Sequence, residues 1–178
     1  MKKLIAFLTL ASLLFANSYK SGDTYIGLAP AFLNEPYDSV DALEVNALPI
    51  TYEYYFSDNS GLHLRPIINL RFINNQATTI SHIGSTIGYN FYFPMSESWV
   101  WIAGVMSTYT YNLQDIQTVI TTGGELGGLV DFEDGFLLRF TLQPGINYYP
   151  DQRSRDLAGA TTGFLPHFGF IVDFGWAF

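Results

Sequence analysis

The chain has 178 residues, 16 of them acidic and 8 basic; 48% are hydrophobic, 17% are aromatic, and none is cysteine. An acidic balance of this size repels nucleic acid, and no basic patch reverses it. The fold needs neither a disulfide nor a cysteine-bound metal, and after residue 16 no apolar run is long enough to cross a bilayer as a helix.

Lys2 and Lys3, the apolar run 4–15 and the small Ala16 read as a secretory signal peptide over residues 1–16, cleaved after Ala16 and too short to span a membrane. Residues 17–178 remain as one domain. They divide into eight segments of strand chemistry: 24–32, 45–56, 62–72, 79–93, 99–111, 119–132, 136–148 and 165–178. Alternation fits most of them better than helical periodicity, and lengths of about ten residues suit tilted membrane-spanning strands. The links 57–61, 94–98 and 133–135 are short and rich in turn formers. The links 33–44, 73–78, 112–118 and 149–164 are longer. Short and long links alternate, which puts both termini at the tight-turn end.

Aromatic residues follow the same polarity. Tyr54, Phe56, Phe91, Phe93, Trp99, Trp101, Phe132, Phe136, Trp176 and Phe178 lie beside the tight turns or the C-terminus. Phe32, Phe72, Tyr109, Tyr111 and Tyr148 lie near the long links. Two such belts are expected where strands cross the two membrane interfaces. Pro30, Pro49, Pro144 and Pro166 fall on the loop-side half of their strands, where the ladder should be irregular; Pro66, near mid-strand, implies a bulge. In the last segment Phe168, Phe170, Val172, Phe174, Trp176 and Phe178 occupy every second position, so one face is a broad apolar stripe. The pattern predicts an all-β fold: a closed antiparallel up-and-down eight-stranded transmembrane β-barrel.

If the apolar positions face lipid, the opposite ones line the lumen. They include Glu53, His63, Arg65, Arg71, His82, Glu125, Arg139, His167 and Asp173, which is most of the charge in the strands. A five-residue turn closed by Phe56 and Leu62 would set Glu53 opposite Arg65. Counting from Phe136 and from the C-terminus puts Arg139 and Asp173 at similar heights on adjacent strands. These positions predict a lumen charge network of Glu53, Arg65, Arg139 and Asp173, with Arg71 and Glu125 on the same face, that plugs the barrel; the alternative is that each charge binds lumen water. Inward glycines (Gly84, Gly88, Gly123, Gly127, Gly145, Gly169 and Gly175) either compensate large neighbours or leave a pore.

With the leader, the alternating strands and terminal Phe178, the segments Tyr52-Glu-Tyr-Tyr-Phe-Ser-Asp-Asn-Ser-Gly-Leu62 and Ile87-Gly-Tyr-Asn-Phe-Tyr-Phe93 resemble the small outer-membrane barrels of Gram-negative bacteria, the OmpW-like and opacity-like superfamily. The resemblance implies residence in the outer membrane, contact with its lipid, and a C-terminal signal, Phe174, Trp176 and Phe178, read by the barrel assembly machinery. An OmpW-like barrel would pass small apolar compounds, whereas the lumen expected here is polar.

Three classes of function follow. A structural or surface-interaction barrel would work through its extracellular loops, of which the first is acidic (Glu35, Asp38, Asp41 and Glu44). That loop lacks the glycine and the ligand spacing of a calcium site and reads as a solvated acidic segment open to an unknown surface ligand. A narrow channel for small solutes is the alternative. An enzyme is a third class, but Ser81 and Ser85 should face away from His82 on the alternation, and no catalytic residue is assigned. No metal pair, phosphate loop or cofactor fingerprint is present, so no metal or cofactor is expected.

Overall fold

The computed structural model describes residues 20–29, 32–35, 42–73, 77–132 and 136–178. The expected leader and the turn at 133–135 lie outside them. The strands are β1 Thr24–Leu28, β2 Phe32–Glu35, β3 Ala42–Asn46, β4 Ile50–Ser57, β5 Ser60–Ile73, β6 Thr79–Pro94, β7 Trp99–Asn112, β8 Gln117–Asp131, β9 Phe136–Tyr148 and β10 Phe164–Ala177, with a helix, α1, at Gln152–Ala158. Every pairing is antiparallel. Eight strands follow one another around a ring in the order β1, β4, β5, β6, β7, β8, β9, β10, and β10 returns to β1. The closing pairs run from Tyr25↔Ala177 to Leu28↔Phe174, and Thr24 and Phe178 exchange two backbone hydrogen bonds of 2.9 and 3.0 Å. Above Leu28, among the described residues, β10 has a ladder on its β9 side alone.

The first two expected strands are each interrupted. β2 and β3 form a hairpin above β1 and β4, and β3 pairs with the upper part of β5 from Asn69 to Ile73. Between β3 and β4 the chain leaves the ladder over residues 47–49, where Pro49 has no N–H to offer. This break explains Pro66. Along β5, pairing with β4 ends at Leu64 and pairing with β3 begins at Asn69, so Pro66 lies in the gap between two partners. The side chain of Asn46 bridges that gap. Its Oδ1 accepts from the N–H groups of Leu48 (3.0 Å) and Ile68 (3.2 Å), and its Nδ2 donates to the Pro66 carbonyl (3.4 Å).

Because β5, β7 and β8 run further than their patterning suggested, the links after β5 and β7 cover 74–78 and 113–116, one and three residues less than expected. The segments between β1 and β4 and between β9 and β10 remain extended. In the latter, Asp151 caps α1. Its carboxylate accepts from the Ser154 N–H at 2.8 Å and the Ser154 hydroxyl at 2.7 Å, and Gly159 ends the helix in the left-handed region at φ 65°. The Ser154 hydroxyl also accepts from the Thr118 N–H at 3.0 Å, which docks α1 on the start of β8.

The outer face is apolar from rim to rim. Val105 is 63% exposed and Phe168 71%, and the tight-turn end carries a belt of ring contacts including Tyr54–Phe56, Trp99–Trp101 and Phe136–Trp176. An exterior of this kind is satisfied by lipid, and the ladders meet the backbone polar groups that lipid cannot. Among the described residues, no helix is long and apolar enough to cross a membrane, which says nothing of a β-barrel.

Two outcomes test this frame. Val105→Arg should lower stability by about 2–4 kcal/mol in lipid vesicles, read by urea unfolding, because it places a charge on the lipid face. The Ser154 N–H holds the Asp151 carboxyl below its ordinary range. The cap is therefore fully formed above the unfolded carboxyl value of about 3.9 and lost as pH falls through the depressed folded one. Protection of the Ser154 amide against exchange, relative to its intrinsic rate at each pH, should be lost at acid pH in the native protein and already be lost at neutral pH in Asp151→Ala.

Candidate functional site

Alternation sends Tyr25, Glu53, Tyr55, His63, Arg65, Tyr92, Glu125, Arg139 and Asp173 into the barrel, where all are buried. At the tight-turn end Tyr25, Tyr55, Tyr92, Val100, Ile102, Leu129 and Leu137 pack as an apolar and aromatic floor. The Tyr55 and Tyr92 rings meet edge to face at 5.5 Å. The lumen expected from the sequence is polar, and this floor is the part of it that is not. The odd-even phase of Phe91-Tyr92-Phe93 turns Tyr92 inward, and that of Thr24-Tyr25-Ile26 does the same for Tyr25.

A charged layer lies against this floor. Asp173 is the register partner of Arg139, as counting from the strand ends suggested. The Arg139 Nε donates to both Asp173 oxygens at 3.2 and 3.0 Å, and its Nη1 donates to Glu53 Oε2. The Tyr92 hydroxyl donates to the other Glu53 oxygen, and the Tyr25 hydroxyl donates to Asp173 Oδ1 at 2.5 Å. The Tyr25 ring also carries the Arg139 guanidinium 5.2 Å from its centroid. Arg65 makes the second anchor. Its Nη1 donates to Glu125 Oε1 at 2.8 Å, its Nε to Thr51 Oγ1 at 3.3 Å, and its Nη2 lies 3.8 Å from Asp173 Oδ2. Gln143 Nε2 completes the shell of Glu125 Oε1 at 2.6 Å. The Arg139–Glu53 and Arg65–Glu125 pairs each join strands three places apart around the ring, so both cross the lumen.

The expected Glu53–Arg65 pair does not form. The β4–β5 turn is the two residues Asp58-Asn59 closed by Ser57 and Ser60, and a bulge between Tyr55 and Ser57 shifts the register. Glu53 therefore faces His63 across the ladder and takes Arg139 from the far wall. Arg71 is not part of the layer either. It lies near the upper end of β5, where its Nη1 donates to Gln114 Oε1 at 2.7 Å. Glycines provide room for this packing. A methyl group on Gly27 would overlap the Tyr25 ring, one on Gly88 the His63 ring, and one on Gly61 the Glu53 carboxylate.

Nearer the loops, a bulge in β5–β6 between Asn69 and Leu70 turns Ser81 inward beside His82, contrary to simple alternation. The Ser81 hydroxyl and Glu44 Oε2 each lie 3.1 Å from His82 Nδ1. Because both meet the same ring nitrogen, the imidazole cannot relay a proton from one to the other, which requires opposite nitrogens. Glu44 is thus a buried strand residue rather than part of an exposed loop. Asp38 and Asp41 lie outside the described residues, as does the Glu35 side chain. Phe174, Trp176 and Phe178 all face outward. No group of three or more potential metal ligands gathers among the described residues.

Fold and lumen define a closed eight-stranded antiparallel β-barrel with a lipid-facing exterior and a charged layer inside. Among solved structures the chain is similar to the outer membrane protein OprG from Pseudomonas aeruginosa, with 14% identity, a TM-score of 0.47, and coverage of 90% of this chain and 97% of that one. No family model matches the chain, and no curated protein matches it.

Arg139 serves two carboxylates, so Arg139→Met should destabilise the barrel by about 3–5 kcal/mol. In double-mutant cycles read by urea unfolding, Glu53 should couple to Arg139 by about 0.5–3 kcal/mol and more weakly to Arg65.

Proposed function

We propose that the chain is an outer-membrane barrel, exported by its leader and assembled through Phe174, Trp176 and Phe178, whose lumen is plugged and whose work is done at the extracellular surface rather than by conduction or catalysis. The observation that carries this reading is the pair of lumen-crossing bridges, Arg139 to Glu53 and Asp173 and Arg65 to Glu125, stacked on a floor of buried tyrosine and aliphatic side chains. An eight-stranded interior is only just wide enough for side chains, and these fill it. The two extended segments then offer the surface for interaction: the first contains the β2–β3 hairpin, and the second carries α1, docked on β8 through Ser154. Such segments are where barrels that share a wall differ in role. The binding partner is a surface ligand met by these segments, while the wall itself is in contact with outer-membrane lipid.

Conductance tests the plug. The purified, refolded barrel in a planar bilayer should give no stable single-channel steps, and liposomes containing it should not swell in small sugars. Stable steps or swelling would overturn the plug in favour of a narrow channel for small solutes.

A further inference from the structure

Three carboxylates, Glu53, Glu125 and Asp173, meet only two guanidiniums, Arg65 and Arg139, in the charged layer, and all five side chains are buried. With ordinary ionisation the layer would hold one uncompensated negative charge inside a wall surrounded by lipid, an arrangement that buried groups avoid by binding a proton. The sixth ionisable group is His63, fully buried, with its Nε2 facing Glu125 Oε2 at 3.3 Å. Neither of these two atoms has another hydrogen-bond partner among the described residues. Glu125 Oε1 is already saturated by Arg65 and Gln143, so Oε2 is its free position.

The surroundings of His63 come from every side of the barrel. Glu53 is its register partner on β4, Arg65 lies two positions along β5, and Glu125 reaches it from β8. Arg139 on β9 and Asp173 on β10 complete the layer, and Tyr25, Tyr55 and Tyr92 close it below. On β6, Asn90 places its amide 3.2 Å from His63 Nδ1 and can present oxygen to an N–H or nitrogen to a lone pair by turning over. Gly88, opposite His63, leaves the space that the imidazole occupies.

We propose that the layer binds one additional proton, shared between His63 Nε2 and Glu125 Oε2, so that its six ionisable side chains are together neutral at pH 7. The proton comes from water during folding and makes the His63–Glu125 contact a charge-neutralising hydrogen bond. The inference rests on the reading of the layer as a dry plug. It adds a consequence: at pH 7 the folded barrel binds a proton that most unfolded chains lack, because an unperturbed histidine titrates near about 6.5 and a glutamate lower. Stability then falls as pH rises, since the native state binds more protons than the unfolded one.

The test uses the intact barrel in lipid nanodiscs. With 15N-labelled histidine and 13C-labelled glutamate, the wild type at pH 7 should carry either His63 protonated on both nitrogens or Glu125 as a carboxylic acid, with signals assigned through His63→Gln and Glu125→Gln. An ionised Glu125 beside a neutral His63 would overturn the proposal. Glu125→Gln removes the excess charge, so its His63 should be neutral, and its thermal unfolding temperature should rise slightly with pH up to about 7.5, as the unfolded histidine loses its proton, and be flat from there to about pH 9. The wild-type unfolding temperature should fall across that range. A flat wild-type profile, or stability that follows sodium or potassium concentration at fixed pH, would also overturn the proton. Should Glu125→Gln fail to fold, the wild-type spectra decide alone. A silent barrel with a neutral His63 and an ionised Glu125 would remove the proton and leave the plug; a conducting barrel would remove the plug.

Discussion

Arg139 is a guanidinium buried inside a wall whose outer face is apolar, so its charge has to be answered within the barrel. The answer comes from β4 and β10 at once. Asp173 takes the Nε across the ladder, Glu53 takes Nη1 from the far side of the lumen, and the Tyr25 ring lies against the guanidinium face. Each acid also accepts a hydrogen bond from a tyrosine hydroxyl. Five strands are held in relative height by this one side chain and its partners: β1, β4, β6, β9 and β10. In a barrel whose ladders alone permit one-step register slips, a buried polar cluster that can be satisfied in only one arrangement specifies register where apolar packing would tolerate several.

The residues that could be read from sequence are those counted along uninterrupted strands. Phe136 to Tyr148 and Phe164 to Ala177 pair without a bulge, so Arg139 and Asp173 fall opposite one another as their distances from the strand ends imply. The eight-stranded plan, the outward aromatic stripe of the last strand and the inward sorting of charge rest on the same period of two. Wherever a bulge intervenes, the count fails. The extra residue between Tyr55 and Ser57 and the two-residue turn moved Glu53 away from Arg65, and the bulge at Asn69 brought Ser81 to the same side as His82. Bulges depend on how two strands twist against each other, which one strand's pattern does not encode.

Other features were hidden for a different reason. The fifth expected strand places Val100 and Ile102 inward as well as Trp101 and Val105 outward, so both faces are apolar and period alone cannot tell lipid from floor. Glu44 falls at the end of the expected acidic link 33–44. Its pairing with β5 through Arg71 makes it a strand residue facing the lumen. A hydrophobic inner position, or a charge in an extended link, is assigned only when the neighbouring strand is known.

The glycines connect these two levels. Gly27, Gly61 and Gly88 face inward beside Tyr25, Glu53 and His63, and a methyl group at any of them would strike the side chain it accommodates. Their value is local volume, not backbone freedom: none of the three has a positive φ. Gly27 stands two residues from Tyr25 in sequence, whereas Gly61 and Gly88 meet Glu53 and His63 from the neighbouring strand, so large polar side chains and the spaces that receive them are matched across the ladder as well as along it. A pore would need those spaces to be aligned and empty. Here each of the three is occupied by one buried side chain, Tyr25, Glu53 or His63.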